Sequence, residues 1–151
     1  MERTLLDDPR VGAIAADELR QRLRGLPDAV TDPLVGAQLA SKLHSLMAQH
    51  PDAVVDLVSS DGTPVAYIVT DDVDGVIRLC DIAVVAAVRG RGYGQALLAR
   101  LLDHADAGAE AVELSVWHDA PARVWYERHG FRTVGGDAHG HVEMRREPAG
   151  E

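Results

Sequence analysis

The chain has 151 residues and a formal net charge of −9, from 24 acidic and 15 basic side chains, and this charge argues against nucleic-acid binding, which needs a basic face. Its single cysteine, Cys80, excludes an internal disulfide, and no apolar run reaches the ~18 residues that span a bilayer. The length fits one domain over residues 1–151, and the absence of a secretory signal favours a cytoplasmic protein without membrane contact.

Two helices are predicted before the first strand. The first covers residues 15–24, where leucines recur four positions apart. The second covers residues 32–49, with Asp32 as its N-cap and Pro33 at its first helical position. The sequence of residues 1–31 does not indicate a substrate, and we interpret these residues as a variable N-terminal segment.

Three strands follow, with an Asp-Gly pair between each strand and the next. The strands cover residues 53–59, 65–70 and 76–85, and the pairs are Asp61-Gly62 and Asp74-Gly75, which favour tight hairpin turns. Together they predict an antiparallel meander. The third strand is almost wholly apolar, so we expect it to be central in the sheet and buried on both faces.

The pattern then changes to a helix at residues 92–107 and a strand at 111–117, which implies a parallel crossover from the third strand. Asp119 is the predicted cap of the next helix. The remaining elements are that short helix at 120–129, a terminal hairpin of strands at 131–134 and 141–145, and a frayed tail at 147–151. This order predicts an α/β fold, with helices packed on a mixed sheet.

A basic, glycine-rich loop with the sequence VRGRGYGQ, starting at Val88, connects the third strand to the long helix. The first amides of a helix have no intrahelical partner and carry the positive end of the dipole, so they form an anion site that phosphate commonly fills. Glycines let a ligand approach the backbone, and Arg89 and Arg91 add forked donors. The spacing fits neither the dinucleotide fingerprint nor the P-loop. The loop therefore predicts a site for another phosphate-bearing ligand.

The pattern Arg89-x-x-Gly92-x-Gly94 resembles the acetyl-CoA loop of the GNAT acyltransferase superfamily. A second stretch, Tyr126-Glu-Arg-His-Gly-Phe, resembles the Tyr-Glu-x-x-Gly-Phe motif of the same family. The resemblance covers roughly residues 32–146. It implies the GNAT fold, a mixed and mostly antiparallel sheet that is splayed at the cofactor site and flanked by helices. The first strand of the family is not apparent in the N-terminal sequence.

The resemblance implies an N-acetyltransferase, in which a primary amine of a small molecule or a peptide attacks acetyl-CoA directly. Acetyl-CoA is then the cosubstrate, and no metal is expected. Two alternatives stay open, which are transfer of another acyl group and a non-catalytic module that binds CoA or a partner. Because relatives often dimerise, a homodimer also stays open.

The family's cofactor contacts carry over by position. The backbone of the fourth family strand bonds the pantetheine arm and polarises the thioester carbonyl, and the loop amides hold the pyrophosphate. At the next contact, where the family often has asparagine, this chain has an aspartate without an amide donor. The expected cofactor contacts are Val84, Val85, Arg89, Gly90, Arg91, Gly92, Tyr93, Gly94, Gln95, Asp119 and Tyr126.

Three residues are candidates for proton transfer. Tyr126 matches the family's general acid, which protonates the CoA thiolate, and the alternative is a tyrosine of the core. Asp81, the acid inside the apolar third strand, is the preferred base, and the alternative is a structural carboxylate bonded to backbone or to an arginine. His118 is a second base, with a water-exposed loop histidine as its alternative. A relay through water would need no single base.

Asp137, His139 and His141 alternate as metal ligands on a strand would. The glycines among them predict a flexible hairpin turn instead.

Overall fold

A computed structural model describes residues 1–150. The four α-helices are α1 Pro9–Arg22, α2 Asp28–Gln49, α3 Tyr93–Ala107 and α4 Pro121–Arg128, and a 3₁₀ turn covers Ala86–Val88. The seven strands are β1 Glu2–Thr4, β2 Val54–Ser60, β3 Thr63–Val73, β4 Val76–Val84, β5 Val112–Trp117, β6 Arg132–Gly136 and β7 His141–Arg146. Within the described residues, none of the helices combines the length and apolar character that crossing a bilayer requires.

The strands form one sheet in the order β1-β2-β3-β4-β5-β7-β6. β4 and β5 pair in parallel, at Ile77↔Val112 and Arg78↔Glu113, which confirms the predicted crossover. The pairs β1/β2, β2/β3, β5/β7 and β6/β7 are antiparallel. The predicted mixed, mostly antiparallel sheet is therefore confirmed, and its splay at the cofactor site stays a prediction.

The Asp-Gly turns are where the sequence predicts them. Asp61 and Gly62 have φ of +51° and +79°, and Asp74 and Gly75 have φ of +54° and +80°. Positive φ at both central residues is the geometry that a two-residue hairpin favours. The prediction that β4 is buried on both faces is wrong, because its residues alternate between buried and half-buried, whereas β3 holds the continuous buried run from 65 to 69.

The chain divides into two compact units. The first unit holds residues 1–70 and 81–97, and the second holds residues 71–80 and 98–150. Apolar side chains under 2% exposed form the centre of each: Val11, Ile14, Val55, Leu57, Tyr67 and Val69 in the first, and Leu98, Val112, Leu114 and Met144 in the second.

The N-terminal predictions differ from the structure. α1 begins at Pro9, where Asp8 is the N-cap and accepts from the Arg10 amide at 2.9 Å. α2 begins at Asp28, so Asp32 is not its cap, and Pro33 lies inside the helix. Inside a helix, a proline keeps helical φ but removes one backbone donor and crowds the carbonyl four residues before it. The strand β1, which the sequence does not indicate, pairs with β2.

Two C-terminal predictions also need correction. The N-cap of α4 is Ala120 without a side-chain hydrogen bond, so Asp119 lies one residue too early to cap it. Residues 147–150 form no regular element, but they are not simply frayed, because the Ala149 amide donates to Asp106 Oδ1 at 2.8 Å. Glu151 lies outside the described residues.

Asp106 on α3 joins this tail to β7. Its two oxygens accept from the Arg146 guanidinium at 2.8 and 3.1 Å, and the same guanidinium donates to the His129 carbonyl at 3.2 Å. The Arg146 hydrogen bonds, together with that of the Ala149 amide, hold the pKa of Asp106 at about 2. Both helix and strand therefore depend on an ionised Asp106.

Replacing Asp106 with asparagine should give a pH-dependent loss of stability. Because the folded-state pKa lies below the ordinary value of 3.8, the stabilisation is complete above that value and is lost as the pH falls through about 2. Urea unfolding of wild type and Asp106→Asn should therefore give a constant difference in free energy at neutral pH that shrinks in acid. Asp103→Asn, at an exposed position of the same helix, is the control. A difference that acid does not change would contradict the assignment.

Candidate active site

The strand β4 passes into α3 through the 3₁₀ turn and a glycine loop. β4 ends at Val84, the turn covers Ala86–Val88, and α3 begins at Tyr93. Gly90 and Gly92 have φ of +80° and +86°, in the left-handed region that a side chain makes unfavourable. The path of the backbone therefore requires glycine at these two positions.

The loop ends at amide groups that the helix does not use. The carbonyl of Gly92 accepts a hydrogen bond from the Ala96 amide at 2.9 Å, which is the first bond of α3. The amides of Tyr93 and Gly94 come before that bond, and first-turn amides have no intrahelical acceptor. They also carry the positive end of the helix dipole. This end of α3 is chemically suited to bind an anion.

Three polar side chains next to these amides in sequence lie at the surface. Arg89, Arg91 and Gln95 are exposed, and guanidinium groups supply forked donors to phosphate oxygens. A Cβ added at Gly94 would meet Val84 Cγ2 at 3.6 Å, which is an ordinary contact. Unlike Gly90 and Gly92, Gly94 could therefore carry a side-chain Cβ without a clash within the chain.

Hydrogen bonds to β3 and to α1 hold the start of the turn. The Val85 amide donates to the Val65 carbonyl at 2.9 Å, and the Val85 carbonyl accepts from the Val88 amide at 3.2 Å. The Ala86 amide donates to Asp17 Oδ2 of α1 at 2.9 Å. A pantetheine contact through the Val85 amide would therefore compete with a hydrogen bond that the chain already makes.

Asp81, the preferred base, lies in β4 and has two partners in the first unit. Its Oδ2 accepts from the Tyr67 hydroxyl at 2.6 Å and lies 2.9 Å from Lys42 Nζ. Neither partner is the backbone group or the arginine that the structural alternative names. The Asp81 side chain is 15% exposed and that of Lys42 is 24% exposed, so solvent reaches this ion pair.

Two further groups beside Asp81 have altered proton affinity. Burial, followed by the charge of Asp81, raises the pKa of Tyr67, so its hydroxyl stays protonated and keeps donating. Burial also raises the pKa of Glu18 on α1, against the opposing charge of Lys42. Glu18 accepts from Arg22 at 3.0 Å. In the first unit, the carboxylates of Asp81 and Glu18 thus lie near the cations of Lys42 and Arg22.

Sequence reasoning missed four of these residues, which are Asp17, Glu18, Lys42 and Tyr67. Lys42 carries a usable signal, because it is the only lysine in the chain. Glu18 carries only the local signal of Arg22 four residues later, and Asp17 and Tyr67 carry none, since their partners are far away in sequence.

Tyr126 and His118, the other predicted proton-transfer residues, lie in the second unit. Tyr126 is 7% exposed on α4, and its ring lies 5.1 Å from that of Trp125 and 5.5 Å from that of Phe131. It is therefore a core ring that also matches the family acid. A ring packed in the core does not exclude the acid role, because the hydroxyl of a buried tyrosine normally keeps a polar partner.

His118 follows β5 and is half-buried rather than exposed. Its Nδ1 lies 3.2 Å from the Gly140 carbonyl, and its amide donates to the same oxygen at 2.9 Å. A carbonyl only accepts, so this contact is a hydrogen bond in the tautomer that has the proton on Nδ1. That tautomer leaves on Nε2 the lone pair that a base needs.

The other two predicted features of the second unit are the residue Asp119 and the alternating stretch that begins at Asp137. Asp119 is exposed and makes no cap. Asp137 Oδ1 accepts from the His139 amide at 2.9 Å, so this carboxylate closes the β6–β7 turn as the hairpin interpretation predicts. Among the described residues, no group of three or more His, Cys, Asp or Glu could hold a metal ion.

Comparison with known proteins identifies the class of this site. The family model described as "Acetyltransferase (GNAT) domain" matches residues 51–133, which contain the glycine loop, Asp81, His118 and Tyr126. The matched range is more than half of the chain. The protein belongs to the GNAT acetyltransferase family.

Solved structures share the fold. PaiA N-acetyltransferase from Thermoplasma acidophilum, in complex with coenzyme A, is 11% identical with a TM-score of 0.70, and the alignment covers 97% of this chain and 99% of that one. A histone acetyltransferase HPA2 and related acetyltransferase from Corynebacterium glutamicum ATCC 13032 is 23% identical with a TM-score of 0.66, over 98% and 94% of the two chains. A GNAT family acetyltransferase from Elizabethkingia anophelis, with acetyl-CoA bound, is 14% identical with a TM-score of 0.57, over 68% and 82%.

The loop glycines predict a matched pair of stability changes. Gly92→Ala places a side chain at φ of +86° and should lower the free energy of unfolding by about 1–2 kcal/mol. Gly94→Ala has ordinary helical geometry and should be neutral or stabilising by about 0.5–1 kcal/mol. Chemical denaturation of both variants measures the difference. Equal effects would contradict the backbone requirement at Gly92.

Proposed function

We propose that the protein transfers an acetyl group from acetyl-CoA to a primary amine of a small molecule or a peptide, by direct attack of the amine on the thioester. The glycine loop carries this proposal. It combines two positive-φ glycines, two exposed arginines and the open amides of α3. Those are the groups that hold a pyrophosphate, and they lie within the range that the family model matches.

The roles at the cosubstrate follow from the loop. The amides of Tyr93 and Gly94 bind the pyrophosphate, with Arg89 and Arg91 as charged donors. The Val84 backbone polarises the thioester carbonyl. Preorganised donors of this kind act most strongly where water is excluded. Gly90 and Gly92 supply the turn, and because neither has a side chain, the pyrophosphate can approach the backbone closely.

The acceptor must lose a proton before it attacks, because an alkyl amine is mostly protonated near neutral pH. We assign that proton to Asp81, since its carboxylate already contacts a primary ammonium group, that of Lys42, at 2.9 Å. His118 Nε2 is the second candidate, acting directly or through water. The acidic chain, with a net charge of −9, favours cationic amines as acceptors.

The leaving thiolate needs a proton as well, and we assign this to Tyr126. The assignment rests on the Tyr-Glu-x-x-Gly-Phe motif that Tyr126 begins. A phenol hydroxyl can deliver a proton to a thiolate in the transition state and be restored by solvent.

An acceptor panel tests the proposed function. Purified protein with acetyl-CoA is offered polyamines, aromatic amines, amino acids and peptides, and released thiol is measured. We expect sustained turnover with at least one cationic amine. Calorimetry with acetyl-CoA provides the binding control. Binding without turnover on any amine would favour the non-catalytic module, and no binding at all would contradict the proposal.

Tyr126→Phe should separate chemistry from binding. The ring stays in the core, but the proton donor is lost, so kcat should fall roughly 100-fold or more. CoA should still bind in calorimetry, since the pyrophosphate contacts are elsewhere in the chain. Thermal unfolding of both proteins shows whether the core is preserved. An unchanged kcat would remove Tyr126 from the mechanism.

A further inference from the structure

The chain holds a primary amine next to its own candidate base. Lys42 is the only lysine, and every other member of the 15 lysine and arginine residues is an arginine. Lys42 Nζ lies 2.9 Å from Asp81 Oδ2. Both residues belong to the first unit, and Asp81 lies three residues before Val84 in β4.

An arginine would make a more durable ion pair at this position. Guanidinium stays protonated and offers a planar fork to a carboxylate, whereas a lysine loses its proton readily when it is desolvated. At the ion pairs of Asp8, Glu18, Asp106 and Glu143 this chain uses arginine. Lys42 is the one side chain among the lysines and arginines that yields an alkyl amine nucleophile on deprotonation.

The carboxylate of the pair is held in place by a buried tyrosine. Asp81 Oδ2 is held by the Tyr67 hydroxyl at 2.6 Å, and Tyr67 is only 1% exposed. A hydrogen-bonded ammonium and carboxylate can exchange a proton without any further group.

We propose that Lys42 is a self-acetylation site, with its Nζ as the acceptor amine and Asp81 as the base. This proposal rests on the proposed acetyl transfer. The Lys42 ammonium gives one proton to Asp81, and the amine lone pair attacks the thioester carbonyl carbon. The C–N bond forms, the C–S bond breaks, and the second proton goes to the CoA thiolate. The products are Nε-acetyl-Lys42 and CoA thiol, and Asp81 returns its proton to water.

Acetylation changes the site itself. It removes the positive charge of Lys42, so Asp81 keeps the Tyr67 hydrogen bond and loses its cation. The carboxylate then has an open position for the ammonium of a free acceptor.

Mass spectrometry tests the proposal on the full chain. Purified protein is incubated with acetyl-CoA and no acceptor, and intact mass and peptide mapping follow the modification. We expect one acetyl group at Lys42 Nζ and one equivalent of thiol per chain. The rate per chain should not depend on protein concentration, because donor and acceptor are in one molecule. A rate that rises with concentration, or an unmodified Lys42, would overturn the proposal.

Two variants and one solvent condition complete the design. Lys42→Arg keeps the cation and should abolish the modification. Asp81→Asn removes the base and should slow it roughly 100-fold. Because Asp81→Asn also removes the anionic partner of Lys42, wild type unfolded in urea gives an independent uncatalysed rate. Equal rates in the folded and unfolded chains would mean chemical acetylation only, which overturns the proposal.

The acceptor panel separates the two proposals. Turnover on a free amine with Lys42 unmodified would overturn self-acetylation and leave the proposed function intact. Failure of both would remove the proposed acetyl transfer as well.

Discussion

The turn from β4 into α3 is the constraint on which the rest of the site depends. It needs two residues with φ of +80° and +86°, and Gly90 and Gly92 provide them without strain. Asp17 of α1 fixes the start of this turn through the Ala86 amide at 2.9 Å. The turn then delivers the chain to the first amides of α3. The position of the helix end that we propose for pyrophosphate binding is thus a consequence of how a central strand is joined to the next helix.

The carboxylate of Asp81 is the second organising group, and it links the core to the chemistry. The buried hydroxyl of Tyr67 needs an acceptor, and Asp81 provides one. The carboxylate needs a cation, and Lys42 on α2 provides one. The acceptor of the buried hydroxyl and the proposed base are therefore the same carboxylate oxygen. These two partners explain how an acid is retained in a strand that is mostly apolar.

Local signals explain what the sequence predicts well. The Asp61-Gly62 and Asp74-Gly75 turns, the strands around them and the loop at Gly90 and Gly92 depend on neighbouring residues only, and the structure has them at the predicted positions. The predicted start of α2 is wrong because proline favours the first helical position, whereas Pro33 lies inside the helix. The partners of Asp81 and Asp17 are not encoded locally. Tertiary packing brings Lys42 to Asp81, and Ala86 to a carboxylate 69 residues away.

The central claim is that the first amides of α3 hold the pyrophosphate of acetyl-CoA. An NMR titration of the isotope-labelled protein with CoA tests it most directly, because each backbone amide reports its own hydrogen bond. The account predicts that the amide resonances of Tyr93 and Gly94 shift strongly and saturate together with the calorimetric binding curve. Saturable CoA binding that leaves both resonances in place would contradict it.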